Sequence, residues 1–228
     1  MNFIIEPPAQ PFLSINGSEQ KFPVNRVFCV GRNYADHARE MGHDPDREPP
    51  FFFMKPADAV HDIGGKWEYP PQTENLHYEC ELVVYVSKSG KDIKIQDANT
   101  YVLGYGVGLD MTRRDLQGQA KKMGRPWEWG KSFDKSGPCG PIHLIDEGQP
   151  LVNAKIWLEV NGIEKQSGDI SDLIWSVPEV ISIISHSMEL KAGDVIMTGT
   201  PSGVGPVVRG DKIHAGIDGL GEITTTVV

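Results

Sequence analysis

Two carboxylates stand two residues apart in an otherwise apolar run, Glu79 and Glu81 in His77-Tyr-Glu-Cys-Glu-Leu-Val-Val-Tyr-Val86. A strand repeats every two residues, so both acids face one way, while Cys80, Leu82, Val84 and Val86 form an apolar face. Like charges side by side raise each other's pKa unless a cation sits between them. Clustered oxygen ligands suit Mg²⁺, Mn²⁺ or Ca²⁺. A lone Glu-x-Glu also fits the solvated face of an edge strand, so the neighbouring segments decide.

Asp110 ends a glycine-rich strand, Gly104-Tyr-Gly-Val-Gly-Leu-Asp110, whose glycines permit close backbone approach. As a helix cap it would be unremarked. Joined to Glu79 and Glu81 it makes three carboxylates, enough for Mg²⁺ with coordination positions left for a substrate. His37 and Glu40 are spaced i, i+3 on a helix predicted over 33–41. A carboxylate on one ring nitrogen raises the basicity of the other, which would make a water-activating dyad. The same pair also fits a solvated surface. Lys131, in a long Gly/Pro/Trp loop, and Lys55, at the end of a phenylalanine-rich strand, are either snorkelling lysines or stabilisers of a developing oxyanion. Arg113 and Arg114 open a helix, where their charge opposes the dipole and a bound carboxylate would offset that. Gln117 lies one turn on.

The elements that must place these groups are mostly short strands. The predicted strands are 26–30, 51–54, 79–86, 104–110, 154–160, 163–166, 194–198, 211–217 and 222–228. Turns are predicted at Asn16-Gly17, Asn161-Gly162 and Asp218-Gly219. Thr112-Arg-Arg-Asp115 and Ser176-Val-Pro-Glu179 resemble capping boxes, predicting helices over 112–122 and 177–188. Asn33 with Asp36 suggests the start of the first helix. Residues 123–141 form the long loop and 199–206 a turn-rich one without the Lys-Ser/Thr of a phosphate loop. Connections are too short for regular βαβ units. The expected class is a mixed, β-rich α+β fold with a few short helices. Residues 1–24 are expected to be an N-terminal extension and 25–228 one catalytic domain.

Composition bounds the rest. The chain has 228 residues, 39% apolar, with formal net charge −9. That balance argues against a nucleic-acid partner. No run is long enough to span a membrane and no signal peptide is evident, so a cytoplasmic location is expected. Cys29, Cys80 and Cys139 lack metal-finger spacing; Cys29 and Cys80 are expected to be buried thiols.

Taken together, the motifs resemble the fumarylacetoacetate hydrolase family. The matching segments are Val30-Gly-Arg-Asn-Tyr-Ala-Asp-His-Ala-Arg-Glu40, Phe53-Met-Lys-Pro56, His77-Tyr-Glu-Cys-Glu-Leu82, Leu109-Asp-Met-Thr-Arg-Arg-Asp115, Lys131-Ser-Phe133 and Thr198-Gly-Thr-Pro-Ser-Gly-Val-Gly-Pro206. The chain resembles the small single-domain members close to acylpyruvate hydrolases, and Arg47 to Phe53 and Pro126 to Lys131 carry a closer likeness to bacterial fumarylpyruvate hydrolases. The resemblance implies a β-sandwich or roll core and a homodimer. It implies Mg²⁺ or Mn²⁺ on Glu79, Glu81 and Asp110, and a His37–Glu40 base pair with Lys131 as catalytic lysine. Arg114, Gln117 and Thr200 would contact substrate, and Lys55 is grouped with them. The implied reaction is hydrolysis of a small anionic diketo acid, fumarylpyruvate to fumarate and pyruvate, a step of aromatic-compound catabolism. Oxaloacetate decarboxylation and isomerisation of an unsaturated keto acid use the same metal site. A non-enzymatic reading, a β-rich protein whose acids hold a scaffold cation, also fits the acids alone.

Overall fold

The computed structural model describes residues 2–36 and 48–228. The predicted strands form in the predicted order. Three of them lie side by side in the middle of an eight-stranded sheet: Val195–Met197, Cys80–Val86 and Val102–Leu109. The Cys80–Val86 strand pairs antiparallel with both neighbours. Val27–Val30 and Phe52–Lys55 extend one side of this sheet, and Gly137–Cys139 and Val60–Asp62 the other. A five-stranded sheet runs Ile163–Asp169, Lys155–Val160, Lys212–Ile217, Gly221–Val227, Lys66–Trp67. The result is a mixed α+β fold with a curled sheet and short helices.

The central strand is buried on both faces. Cys80, Leu82, Val84 and Val86 join the main core with Ile156, Leu158, Ala215 and the Val177–Ser187 helix. Val83 and Tyr85 point to a second cluster with Leu13 and Phe22. Leu13 and Phe22 come from a hairpin, Phe12–Ser14 with Lys21–Pro23, which turns through Gly17. The edge-strand alternative for Glu-x-Glu is therefore overturned. The glycines of Val102–Leu109 are needed for tight layering: a Cβ on Gly104 would lie 2.2 Å from the His143 carbonyl oxygen, and one on Gly108 2.6 Å from Val83 Cγ2. The hairpin at Asn161-Gly162 forms with both residues at positive φ, 53° and 77°, as a tight turn of matching twist requires.

Helices depart from expectation at two starts. The Ser176–Glu179 box caps Val177–Ser187 as predicted, with Pro178 in its first turn. Thr112–Asp115 does not make a box. Thr112 and Arg113 instead form a two-residue strand against His77 and Leu76, and the helix runs Arg114–Lys122. The Thr112 side chain is drawn elsewhere: its hydroxyl donates to the Asp110 carbonyl at 3.0 Å and accepts from Lys131 Nζ at 2.7 Å. The long loop contains a single-turn helix, Glu128–Lys131, and the strand Gly137–Cys139. Residues 35–36 are helical. His37, Glu40 and the rest of the helix predicted over 33–41 lie outside the described residues, apart from this start. Among the described residues no helix is long and apolar enough to cross a membrane.

Candidate metal centre

Three central strands of the large sheet lose their pairing at one level and resume in a small sheet of Thr112–Arg113, Leu76–Tyr78 and Gly205–Val207. Glu79 stands between Leu76–Tyr78 and Cys80–Val86, and Asp110 follows Val102–Leu109. Thr200 stands in the third crossing, between Val195–Met197 and Gly205–Val207. The break frees these side chains to converge while strand pairing fixes their backbones. Glu79, Glu81 and Asp110 are all buried, each offering a carboxylate oxygen within 4.8 Å of the others'.

Cations meet two of the three acids. Lys131 Nζ lies 2.7 Å from Glu79 Oε2 and 2.6 Å from Asp110 Oδ2. Lys55 Nζ lies 2.8 Å from Asp110 Oδ1. It also donates to the Lys131 carbonyl and, at 3.0 Å, to Ser136 Oγ. Arg114 pairs with Glu79, and its Nη1 donates to Gln117 Oε1 at 2.7 Å. The protein's own Glu79 thus supplies one carboxylate at this helix start. Burial alone would lower the Lys131 pKa, but the Asp110 and Glu79 carboxylates outweigh it and hold the ammonium above its ordinary value.

Glu81 is the exception. Its Oε2 accepts the Gly199 amide at 2.9 Å. Gly199 has φ +100° and a Cβ there would lie 2.8 Å from Asn33 Cβ, so only glycine suits this approach. Burial, then Asp110 and Glu79, push the Glu81 pKa well up. A buried carboxylate beside two others needs either a proton or a cation. Three hard oxygen donors converging on one point fit a divalent cation of the Mg²⁺ or Mn²⁺ kind.

Supporting groups fix this arrangement. The fully buried Gln166 donates to Thr200 Oγ1 and the Pro201 carbonyl, each at 2.8 Å, and accepts the Cys80 amide at 3.0 Å. The Thr200 hydroxyl donates to the Cys80 carbonyl at 2.8 Å. The peptide between the two glutamates is thereby held from both sides. His77 Nδ1 receives Arg114 Nε–H at 3.3 Å, and its Nε2 meets Asn75 Oδ1 at 3.0 Å. Burial, then Arg114, lower the His77 pKa to about 4, so the ring is neutral at pH 7. Asn33, predicted as a helix start, instead ties its carboxamide to Trp175 and the Thr198 carbonyl.

The structure therefore brings together Glu79, Glu81, Asp110, Lys131, Lys55, Arg114, Gln117 and Thr200. Lys55 and the Thr200 hydroxyl are held by protein groups. Gln166, Ser136 and His77 were not singled out from sequence, and Thr112 was read there only as a helix cap. Of the first three only His77 carried a local signal, its place two residues before Glu79. All three cysteines are buried and free, and burial raises the Cys139 thiol to about 12.

Residues 26–228 match the family described as fumarylacetoacetate (FAA) hydrolase, C-terminal. The chain belongs to the fumarylacetoacetate hydrolase family. A crystal structure of fumarylpyruvate hydrolase from Pseudomonas aeruginosa, in complex with Mn²⁺ and pyruvate, is 53% identical. It superposes with a TM-score of 0.96, covering 100% of this chain and 99% of that one. Oxaloacetate tautomerase FAHD1, mitochondrial, of Homo sapiens is 45% identical over 204 residues, 88% of this chain and 90% of that protein. Oxaloacetate decarboxylase, mitochondrial, of Dictyostelium discoideum is 43% identical over 196 residues, 86% and 89% of the two. Family, acidic cluster and relatives together place this member of the family among metal-assisted enzymes of keto-acid chemistry.

Proposed function

We propose that the chain forms and holds the enolate of a pyruvate unit within a short 2-oxo acid that carries a further carbonyl or carboxyl two carbons along. The observation that carries this reading is the buried trio Glu79, Glu81 and Asp110 with Lys131 against it. A divalent cation held by those three would supply Lewis-acid polarisation of the 2-oxo group. Lys131 adds a permanent positive charge beside the reacting oxygens, and the carboxylates around it keep that charge in place. Arg114 and Gln117, one turn apart on a helix, bind and orient the substrate's anionic head. Gln166 and Thr200 hold the glutamate backbone still.

The curated relatives support oxaloacetate as substrate more directly than they support hydrolysis. Tautomerisation moves a proton between C3 and the 2-oxo oxygen. Decarboxylation breaks the bond from C3 to the carboxylate, releases CO₂ and leaves the electron pair on C3. Both pass through an enolate: after decarboxylation C3 takes a proton, and in tautomerisation one proton leaves C3 or the 2-oxo oxygen and one is returned to the other atom. Neither needs activated water.

Hydrolysis of fumarylpyruvate is a second reading, favoured by the relative solved with pyruvate. Water would add to C4, the C3–C4 bond would break with its electron pair going to C3, and fumarate and pyruvate would leave. This route requires a base, the role we assign to His37 oriented by Glu40. The test is a metal-replete assay of oxaloacetate, acetylpyruvate and fumarylpyruvate, reading pyruvate release and the enol absorbance separately. Turnover of oxaloacetate alone favours the first reading; release of pyruvate from the acylpyruvates favours the second. No turnover of any with Mg²⁺ or Mn²⁺ would sink both. Cytoplasmic location and a homodimer complete the proposal; sedimentation giving only monomer at micromolar concentration would reject the latter.

A further inference from the structure

Residues 2–10 are all exposed, and among them Phe3, Ile4 and Ile5 are 63%, 101% and 77% open. Three consecutive large apolar side chains in water are unfavourable, and a contiguous patch of that kind marks an interaction site. No backbone hydrogen bond ties residues 2–9 to the rest of the described chain. Anchorage begins at Gln10, whose side chain donates to the Val24 carbonyl at 2.7 Å. The Pro11 carbonyl then accepts the Val24 amide at 2.9 Å. Pro7 and Pro8 stiffen the stretch before that anchor, so the arm is biased to extended backbone and loses less freedom on docking. The family match begins at residue 26, so this arm lies outside it.

A second apolar surface lies at the root of this arm. A groove of about 570 Å³ runs along the Phe12–Ser14 and Lys21–Pro23 hairpin, with Ile15, Phe22, Leu103 and Leu144 among its walls. Leu144 is 55% exposed, and Phe12, on the same hairpin, 52%. Lys21 is the one charged residue lining the groove, and Glu6 is the one charged residue among 2–10. The two surfaces therefore match, apolar against apolar and acid against base. Pro23 lines the groove and precedes Val24, so the groove opens beside the arm's own anchor. Yet none of residues 2–10 lines the groove of its own chain. A twofold axis passing near the hairpin would set each arm's root beside the other copy's groove. From Ala9 back to Ile4 an extended chain spans about 16 Å, enough to cross such an axis.

We propose that two copies of this chain exchange arms, residues 2–9 of each lying in the hairpin groove of the other, with Phe3, Ile4 and Ile5 on its apolar walls and Glu6 against Lys21. The proposal rests on the homodimer reading and adds which surfaces join the protomers. The exchange is reciprocal, so both grooves fill together and no apolar arm is left over to recruit a third copy.

Ile4→Asp combined with Ile5→Asp tests the arm without touching a packed residue. Sedimentation equilibrium of the full chain should show the dimer dissociation constant raised by about tenfold or more. The melting temperature should not change at dilutions where both proteins are monomeric. Ile5→Cys and Leu144→Cys then locate the contact, because the three native cysteines are buried. A short bismaleimide added to a mixture of the two single variants should join position 5 of one copy to position 144 of the other, read by peptide mass spectrometry. A chain carrying both substitutions would link within itself if the arm filled its own groove. That link without one in the mixture, or no link between these positions in either sample, overturns the exchange. If the wild type sediments only as monomer, the homodimer reading fails first and the exchange falls with it. If the wild type is a dimer and the aspartate variant dimerises as tightly, the homodimer stands and the exchange is overturned.

Discussion

Asp110 and Glu79 are joined twice. The Asp110 amide donates to the Glu79 carbonyl at 2.9 Å, and both carboxylates accept from the single ammonium of Lys131. A backbone bond fixes the spacing that the side chains need. Glu81 shares the cluster without sharing that ammonium, so it is the acid most dependent on a metal.

Removing its charge gives the first prediction. Glu81→Gln should weaken Mn²⁺ binding, followed by electron paramagnetic resonance, by more than the roughly 10–100-fold expected from losing a supporting partner. In metal-free buffer the same variant should melt no lower than wild type, because a like charge has left a buried cluster. Full metal affinity in the variant would remove Glu81 from the site.

Lys55 is 2% exposed and bridges Asp110, the Lys131 carbonyl and Ser136. Lys55→Met keeps the volume and leaves Asp110 with one cation fewer. Breaking a buried pair from one side costs about 3–5 kcal/mol. Urea unfolding should report a loss of that order; a loss under about 1 kcal/mol would contradict the described bonding.

Asp115 anchors the loop ahead of its helix, accepting from Thr73 Oγ1 at 2.6 Å and the Glu74 amide at 3.1 Å. Burial would raise its pKa, but the Thr73 hydroxyl and the Glu74 and Leu116 amides outweigh it and hold the carboxyl below 3.8. Its folded value therefore lies below its unfolded one. The stability it contributes is present above pH 3.8 and is lost as pH falls through the folded value. Asp115→Ala should cost about 1–2 kcal/mol at pH 7. The gap between variant and wild type should close in acid, and a gap that persists unchanged would refute the assignment.

His37 separates the two proposed reactions. Loss of a positioned general base slows a reaction by about 10²–10⁴. His37→Ala should depress acylpyruvate hydrolysis by that much and spare oxaloacetate decarboxylation. Near-wild-type rates for both would end the role of the His37–Glu40 pair.

Much of this molecule could be read from residue order. The alternation through Cys80 to Val86, the Asn161-Gly162 turn and the Ser176–Glu179 cap are local signals, and each local signal agreed with the fold. Thr112 misled because its hydroxyl suits an N-cap equally well; a lysine 19 residues later claims it instead. Gln166 was invisible for a related reason. It lies on a strand of the other sheet and reaches Cys80, 86 residues away, through contacts that no spacing rule records.

The carboxylates hang at strand ends within two sheets, whereas Phe51, Pro126 and Trp127 stand outside strands. The two groups answer to different constraints. A substitution among the acids alters the buried ion cluster itself. A substitution at Phe51 or Trp127 changes an aromatic surface shared with Arg32 and Arg125 and leaves the three acids in place. The geometry thus separates the part that would hold a cation from a rim that can vary without touching it.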